Sequence, residues 1–303
     1  MLNLIEGPHA QIMAMSGVED FTRRLVPYHQ NKQEVLISAA AKACYDAHGP
    51  KGRSVEENVQ RAISNQHFSV TEHSVVTLFI TGISRGCSHE LVRHRHFSFS
   101  QRSTRYVSEN DACVVLEPRT LELKRREPAA FAEYLDSLEQ SFAAYRKAVG
   151  AFEALAPESL SATDRRKYAR GAARQLLPHA LETQIVITGN LRTWREVLLL
   201  RTHHSAEAEI RRLFDFLWSR VFVHVAPNVF HDFRSTIVNG FVELTQHTEL
   251  HDAMDKLRER HQQELRDAFE FAAQQTALSI TDSESLLVDG ETMFQRYLKL
   301  KGM

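Results

Sequence analysis

The chain has 303 residues, 43% of them hydrophobic, which is enough for one large domain or two smaller ones with a sizeable core. Its 37 basic and 38 acidic side chains leave a formal charge of −1, so the overall charge is not that of a protein that binds nucleic acid over its surface. Three scattered cysteines exclude a disulfide framework, and the absence of an apolar run of eighteen residues argues against membrane insertion, so we expect a cytoplasmic protein.

The first part of the chain predicts two helices and a strand. Residues 1–27 are of mixed polarity and predict an arm or a short strand. Apolar residues at helical intervals predict a helix over 33–46, and Ser54 with Glu57 forms the capping box of a second helix. The β-branched and aromatic run over 74–81 predicts a buried strand.

A helix is predicted from Ser84 to Arg95, and the spacing of its histidines can be compared with that of a known metal-binding motif. His89 and His94 stand five residues apart, so they lie about 140° apart around a helix. The zinc protease motif needs two histidines four apart on one face. We therefore expect no metal site in this chain.

The next stretch, Arg93–Tyr106, contains four arginines, two histidines and three serines and no carboxylate. Such a stretch can be a solvated surface, a nucleic-acid patch or a pocket for phosphate. Lysine, the ordinary surface cation, is absent, and three aromatic residues offer flat surfaces for a ring. The composition therefore predicts an anion-binding loop that follows a helix.

A second basic segment lies on a predicted helix that begins near Thr163 or Asp164 and ends before Pro178. It follows a short predicted strand at 114–116 and a long helical region that begins at Pro118. Its arginines 166, 170 and 174 step by four residues and share one face. A solvated basic stripe is one interpretation, but such a stripe usually carries glutamates at the same spacing, and this one has none.

The remainder of the chain predicts a strand over 181–188 and a helix from about Thr193. Arg201 follows three leucines on that helix, which is typical either of a guanidinium at the floor of a pocket or of an arginine that emerges at a helix end. An amphipathic helix over 210–221 comes next. A charged helical segment over 249–274 and a capping box over 281–284 close the chain.

The amino-acid sequence of these segments resembles that of the flavin-dependent thymidylate synthases. Arg93-His94-Arg95, seven residues and then Ser103 match the family signature, and His67–His73, Arg165–Pro178 and Asn190–Arg192 also agree. The resemblance extends over about residues 28–234. Three positions depart from the family pattern: Arg102 replaces an aliphatic residue, Ser205 stands where the family has a histidine, and Glu196 occupies a flavin-side position.

The resemblance implies an α+β fold in which a small sheet is flanked by helices, with the basic loop and two arginine-bearing helices meeting at one site. It implies an N-terminal arm (1–27), a catalytic domain (28–235) and a helical C-terminal extension (236–303). The implied reaction is the reductive methylation of dUMP to dTMP. Methylenetetrahydrofolate supplies the carbon, NADPH reduces FAD, and the enzyme is a homotetramer.

The resemblance and the chemistry of the side chains together predict the site residues. Arg201 is the predicted catalytic residue, and His67 lies in the folate region. The predicted dUMP-binding residues are Glu90, Leu91, Val92, Arg93, Gln101, Arg102, Ser103, Thr104, Arg105, Arg174 and Arg201. The predicted FAD-binding residues are Ser69, Arg93, His94, Arg95, Gln101, Asn190, Leu191, Arg192 and Glu196.

An alternative of another class is an RNA- or nucleotide-binding module without catalysis, which would stack bases on the arginine, histidine and aromatic side chains. The nearly neutral overall charge argues against RNA as a partner. A visible absorption spectrum separates the two functions, because only a flavoprotein is coloured.

Overall fold

The computed structural model describes residues 2–19, 22, 25–27, 29–47, 52–110, 113–247, 260, 262–263 and 265–267. The chain divides into two compact units, Met1–Gln246 and His247–Met303. In the second unit the described residues between 260 and 267 are helical. The rest of the helical tail predicted over 249–274 lies outside the described residues, as does the capping box predicted over 281–284.

The first unit contains both strands and helices, which confirms the predicted α+β class. Its strands are β1 (Asn3–Ile5), β2 (His9–Met15), β3 (Val75–Ser84), β4 (Ser98–Gln101), β5 (Cys113–Val115), β6 (Glu182–Asn190), β7 (Phe233–Val238) and β8 (Phe241–Gln246). Its helices are α1 (Lys32–Ala43), α2 (Val55–Ser64), α3 (Arg85–Leu91), α4 (Pro118–Arg126), α5 (Pro128–Leu155), α6 (Ala162–Ala173), α7 (Leu191–Thr202), α8 (Ala208–Leu217) and α9 (Val223–Val225). Short 3₁₀ or π turns cover Phe68–His73, Arg174–Leu176, Trp218–Phe222 and Pro227–Phe230.

Four antiparallel strands form the central sheet, in the order β2-β3-β6-β4. The inner strands β3 and β6 are rich in β-branched residues, and alternate side chains along them are buried. The N-terminal residues thus supply an edge strand of this sheet through β2 and pair with β5 through β1. The domain boundary predicted at residue 235 falls inside β7.

The first two helices begin as the sequence predicts. The Asn31 side chain accepts hydrogen bonds from the backbone of Gln33 and Glu34 at the start of α1. The capping box of Ser54 and Glu57 is present at the start of α2. Both helices contribute buried side chains to the main core, which also takes in the sheet, α7 and α8.

The basic stretch is not one helix followed by one loop. The helix predicted to run to Arg95 ends at Leu91, where backbone bonds from Arg93 to Glu90 and from His94 to Leu91 tighten the chain into a turn. Phe97 then packs against Gly189 so closely that a β-carbon there would overlap the ring. Because this contact fixes the path of the chain, the following residues pair with β6 as strand β4.

A second, smaller core lies under α5. It joins Phe131, Leu138 and Phe142 to Val114 and Leu181. The helical region predicted from Pro118 is divided between α4 and α5, because Pro128 lacks the N–H that would continue α4.

Helix α6 packs beside α5 and begins at Ala162, one or two residues before the predicted start. Its N-cap is Ser161, whose hydroxyl accepts a hydrogen bond from the Asp164 backbone, so neither Thr163 nor Asp164, the residues predicted to start the helix, caps it. The predicted end before Pro178 is close, since the 3₁₀ turn Arg174–Leu176 follows the helix directly.

Strand β6 leads directly into α7, with Asn190 as the cap rather than a separate turn. On α7, Arg195 and Asp232 form a buried bidentate ion pair with N–O distances of 2.8 and 2.7 Å. The hairpin β7–β8 is tied to the end of α7, since the Leu244 N–H donates to the buried Thr202 hydroxyl. None of the helices in the described chain has the length and apolar character to cross a bilayer.

Candidate active site

Arg201 lies at the C-terminal end of α7 and points to the end of α3. Its Nε donates to His94 Nε2 at 2.8 Å, and its Nη1 donates to a Glu90 carboxylate oxygen at 3.1 Å. The arginine side chain is 18% exposed and that of Glu90 is 32% exposed. The guanidinium is therefore held at the rim of the core rather than extended into solvent.

Two shifted pKa values accompany this contact. Burial raises the pKa of Glu90, against the opposing effect of the Arg201 charge. Burial and then the Arg201 charge lower the pKa of His94, which keeps its imidazole neutral near pH 7. A neutral ring can accept the Arg201 hydrogen bond at Nε2, so its proton lies on Nδ1.

A polar network holds strand β4 against β6. The Gln101 amide donates to the Ser88 hydroxyl at 2.7 Å and to the Thr183 hydroxyl at 3.2 Å. Arg85, on α3, donates to the Arg102 carbonyl at 3.0 Å. Burial lowers the pKa of Arg85, with smaller effects of the same sign from the charges of Arg174 and Arg102. Arg174 is thus close enough to Arg85 for its charge to act there.

Arg102, the residue that departs from the family pattern, faces carboxylates. Its guanidinium donates to Glu109 at 2.7 Å and to Glu182 at 3.4 Å, and both carboxylates are buried. Burial raises the pKa of Glu109, while Arg102 and then Arg85 lower it. The Arg102 side chain is therefore engaged with the protein itself.

Besides Arg166, four other arginines of the two basic segments are exposed: Arg93, Arg95, Arg105 and Arg174. Within the described chain none of the four forms an ion pair with a carboxylate. The Arg105 side chain lies over Gly171 of α6, and Arg170 donates to the Tyr106 carbonyl at 2.8 Å. The basic stretch thus contacts α6 on one side and, through Arg201, α7 on the other, as predicted.

A second polar surface lies at the N-terminal end of α7, beside the 3₁₀ turn Phe68–His73. Arg192 donates to Glu72 at 2.6 Å and to Glu196 at 3.1 Å, and these two carboxylates raise its pKa. The Asn190 amide oxygen accepts from Thr193, so part of its bonding capacity is used as the helix cap. Glu196, another of the three departures from the family pattern, thus forms an ion pair with an arginine of the predicted flavin-binding set.

The predicted site residues differ in accessibility. Leu91, Thr104 and Leu191 are buried, so the backbone is the part of Leu91 and Leu191 that can face a ligand. The half-buried residues are Glu90, His94, Gln101, Arg102, Ser103, Asn190, Arg192 and Arg201. The exposed residues are His67, Ser69, Val92, Arg93, Arg95, Arg105, Arg174 and Glu196.

Several residues that support the site from behind were not predicted from the sequence. Arg85, Ser88 and Thr183 hold β4 in place, and Glu109 and Glu182 neutralise Arg102. Arg85 precedes Arg93 by eight residues on the same predicted helix, and its positive charge was the one feature of the sequence that could have indicated a role near the site. The others are brought in by the pairing of β4 with β6, which no local spacing indicates.

Comparison with known proteins gives one consistent family. The model of the family described as "Thymidylate synthase complementing protein" matches residues 24–228. A relative from Mycolicibacterium gilvum is 44% identical over 212 residues, which cover 69% of this chain and 83% of the relative. A relative from Mycobacterium avium is 43% identical over 209 residues, which cover 68% and 82%. Both bear the name "Flavin-dependent thymidylate synthase".

Proposed function

The chain belongs to the flavin-dependent thymidylate synthase family, and we propose that the two basic segments and the start of α7 form its active site. The chain is an FAD-dependent thymidylate synthase. It methylates dUMP reductively to dTMP, with methylenetetrahydrofolate as carbon donor and NADPH as reductant. The family predicted from the sequence is confirmed, and the alternative of an RNA-binding module is set aside.

The observation that carries the site assignment is the group of exposed arginines without carboxylate partners among the described residues. A phosphate dianion needs several charge-assisted donors, and a guanidinium that already pairs with a carboxylate has fewer to offer. We assign Arg105 and Arg174 to the dUMP phosphate, because the Arg105 side chain lies against Gly171 of α6 and Arg174 directly follows that helix. Ser103 and Gln101 would complete the nucleotide contacts.

We assign Arg201 to the uracil ring as the catalytic residue. Negative charge develops on the ring during the reaction, and a fixed cation stabilises that charge without reorganising. The contacts to Glu90 and His94 hold the guanidinium in one orientation. Because His94 is neutral, it orients Arg201 without adding a second positive charge.

We assign the FAD to the surface formed by Arg93, His94 and Arg95 together with Ser69 and the α7 start. The donor set suits a dinucleotide, since Arg93 and Arg95 are exposed and face no carboxylate in the described chain, as a pyrophosphate requires. Bound and reduced FAD supplies the hydride of the methylation. Arg192 and Glu196 would contact the same cofactor through the solvent-facing atoms of their side chains. Asn190 would contact it through its amide NH₂ group.

Three further assignments rest on the resemblance. His67, exposed beside the 3₁₀ turn, is assigned to the folate region. The active enzyme is proposed to be a homotetramer in the cytoplasm; the three free cysteines agree with a reducing compartment. Sedimentation equilibrium of the purified protein tests the tetramer directly.

The decisive experiment measures both the visible absorption spectrum of the purified protein and its formation of dTMP. The purified protein should show a flavin absorption spectrum and should form dTMP from dUMP when methylenetetrahydrofolate and NADPH are supplied. Arg95→Ala should raise the FAD dissociation constant about tenfold, because the pyrophosphate loses a charge-assisted contact. Arg125→Ala, on an exposed arginine of α4, is the matched control and should keep its flavin. Full flavin retention by Arg95→Ala would contradict the cofactor assignment.

A further inference from the structure

Two adjacent histidines and one glutamate meet beyond the end of α7. His203 and His204 follow the helix, and Glu243 comes from strand β8. One potential ligand atom from each of the three residues lies within 4.8 Å of the other two. Glu243 is 40 residues or so from the histidines along the chain, so the fold alone brings the three together.

We propose that His203, His204 and Glu243 form a binding site for a divalent transition-metal ion of the zinc class. Imidazole nitrogen and carboxylate oxygen are ligands that zinc prefers, and two histidines with one glutamate is a known ligand set for zinc sites that keep a further position open. The site lies outside the groups assigned to dUMP and FAD. Zn²⁺ binding at this cluster can therefore be measured separately from dTMP formation.

Glu243 is fixed in place by its surroundings. Its side chain is only 12% exposed, and one carboxylate oxygen accepts the His204 backbone N–H at 2.7 Å. The next residue, Leu244, is bonded to Thr202 at the end of α7. Hairpin and helix end are thus joined on both sides of the ligand group, which leaves little freedom to lose when a metal binds.

The histidines have the neighbours that a metal ligand needs. His204 Nδ1 lies 3.1 Å from Glu243 Oε2, so these two groups already approach each other. His203 Nδ1 accepts the Ser205 backbone N–H at 3.2 Å and lies 2.8 Å from the Ser205 hydroxyl, and these two contacts hold the ring in one orientation. Ser205 replaces the histidine expected from the family pattern, so this support is a feature of the present chain.

The distances allow coordination after a small contraction. Two ligand atoms about 2.1 Å from a tetrahedral zinc ion are about 3.4 Å apart. The three atoms therefore have to approach by no more than about 1.4 Å, the difference between that separation and 4.8 Å. His204 Nδ1 and Glu243 Oε2 are already 3.1 Å apart, so the movement required is that of the exposed His203 side chain, while Glu243 stays in place.

The test is equilibrium dialysis of the flavin-loaded protein, without a polyhistidine tag, against Zn²⁺ with metal analysis of both compartments. One Zn²⁺ should bind per chain. His204→Ala and Glu243→Gln should each weaken Zn²⁺ binding by at least about tenfold. Loss of a residue that only supports a ligand already lowers metal affinity by about 10-fold to 100-fold, and loss of the ligand itself should lower the affinity at least as much. Glu243→Gln keeps an oxygen that can accept the His204 N–H, so it preserves the fold.

The matched control is His224→Ala, which removes an exposed histidine outside the cluster and should leave Zn²⁺ binding unchanged. Visible flavin absorbance of each variant confirms that it has folded. The proposal is overturned if the unsubstituted protein shows no saturable Zn²⁺ binding, or if both cluster variants bind Zn²⁺ as tightly as His224→Ala does. Neither result bears on dTMP formation, so the two proposals fail separately.

Discussion

Arg201 and the exposed arginines of the two basic segments are the same residue type, but their surroundings differ. Arg201 is half-buried and bonded to His94 and Glu90 before any ligand arrives. Arg93, Arg95, Arg105 and Arg174 are exposed and, among the described residues, pair with no carboxylate. The protein thus fixes one guanidinium itself and leaves the others for an anionic ligand to order.

This difference separates two kinds of binding free energy. An arginine that is ordered by the ligand contributes equally to the ground state and the transition state when the group it binds does not change. An arginine that is already fixed beside the reacting ring can stabilise charge that appears only in the transition state. The two regions should therefore respond differently to the same substitution.

The largest effect is expected for Arg201→Ala. This variant should lower kcat by about two orders of magnitude or more, even at saturating dUMP, because the charge that develops on the ring loses its fixed partner. The measurement is steady-state dTMP formation against dUMP concentration, after the FAD content has been matched to the unsubstituted enzyme. Normal kcat at high dUMP would make Arg201 a binding residue like the exposed ones.

Arg102→Leu tests an arginine of the basic stretch that is enclosed by carboxylates. Breaking a buried ion pair costs about 3–5 kcal/mol, but Arg102 is 25% exposed and Arg85 still faces Glu109. We expect the variant to lose about 2 kcal/mol of unfolding free energy at neutral pH. Arg119→Ala, which breaks an exposed pair with Glu207, is the control and should cost less than about 1 kcal/mol.

The loss in Arg102→Leu should depend on pH. Burial already raises the pKa of Glu109, and removal of Arg102 raises it further. A carboxyl whose folded pKa lies above its unfolded value, about 4.3, contributes stability below that value and loses it as pH rises through the folded pKa. Urea unfolding should therefore show a small deficit near pH 5 and the full deficit near pH 8. An equal deficit at both would contradict the role of Glu109.

The smaller catalytic effect is expected for Arg174→Ala. The dUMP phosphate does not change in the reaction, so this variant should raise the dUMP KM about tenfold and leave kcat nearly unchanged. The same steady-state assay separates it from Arg201→Ala on one plot. A large fall in kcat at saturating dUMP would remove the distinction between the fixed and the ligand-ordered arginines.

Local sequence patterns predicted most of the elements that carry these arginines. The capping box at Ser54, the strand that became β3 and the helix that carries Arg201 all follow from spacing and side-chain type. The basic stretch was harder, because charge suggested a loop. Its Ser98–Gln101 segment alternates exposed and half-buried residues, which is the period of a strand.

Long-range partners could not be predicted in the same way. Glu182 and Glu243 reach Arg102 and His204 only after β6 and β8 are in place. A single sequence shows which residue types are present and how they are spaced, but such contacts depend on strand register and tertiary packing. For this reason the spacing of histidines within one helix does not predict the cluster of His203, His204 and Glu243.

The smallest effect is expected for the cysteines, and it separates the flavin route from a thiolate route. A thiolate nucleophile needs an exposed, electropositive setting that lowers its pKa. Burial instead raises the pKa of Cys87 well above its ordinary value and also raises that of Cys113. Cys44 is exposed but lies at the end of α1, where its thiol donates to the Ala40 carbonyl. We therefore expect Cys44→Ser, Cys87→Ala and Cys113→Ser to retain kcat within about twofold, since none supplies a group that the reacting ring requires.

Each variant is compared in the dTMP assay after its flavin content and thermal midpoint are measured. A folded, flavin-bound variant without turnover would show that a thiol takes part, and the charge stabilisation assigned to Arg201 would then not be enough to account for the reaction.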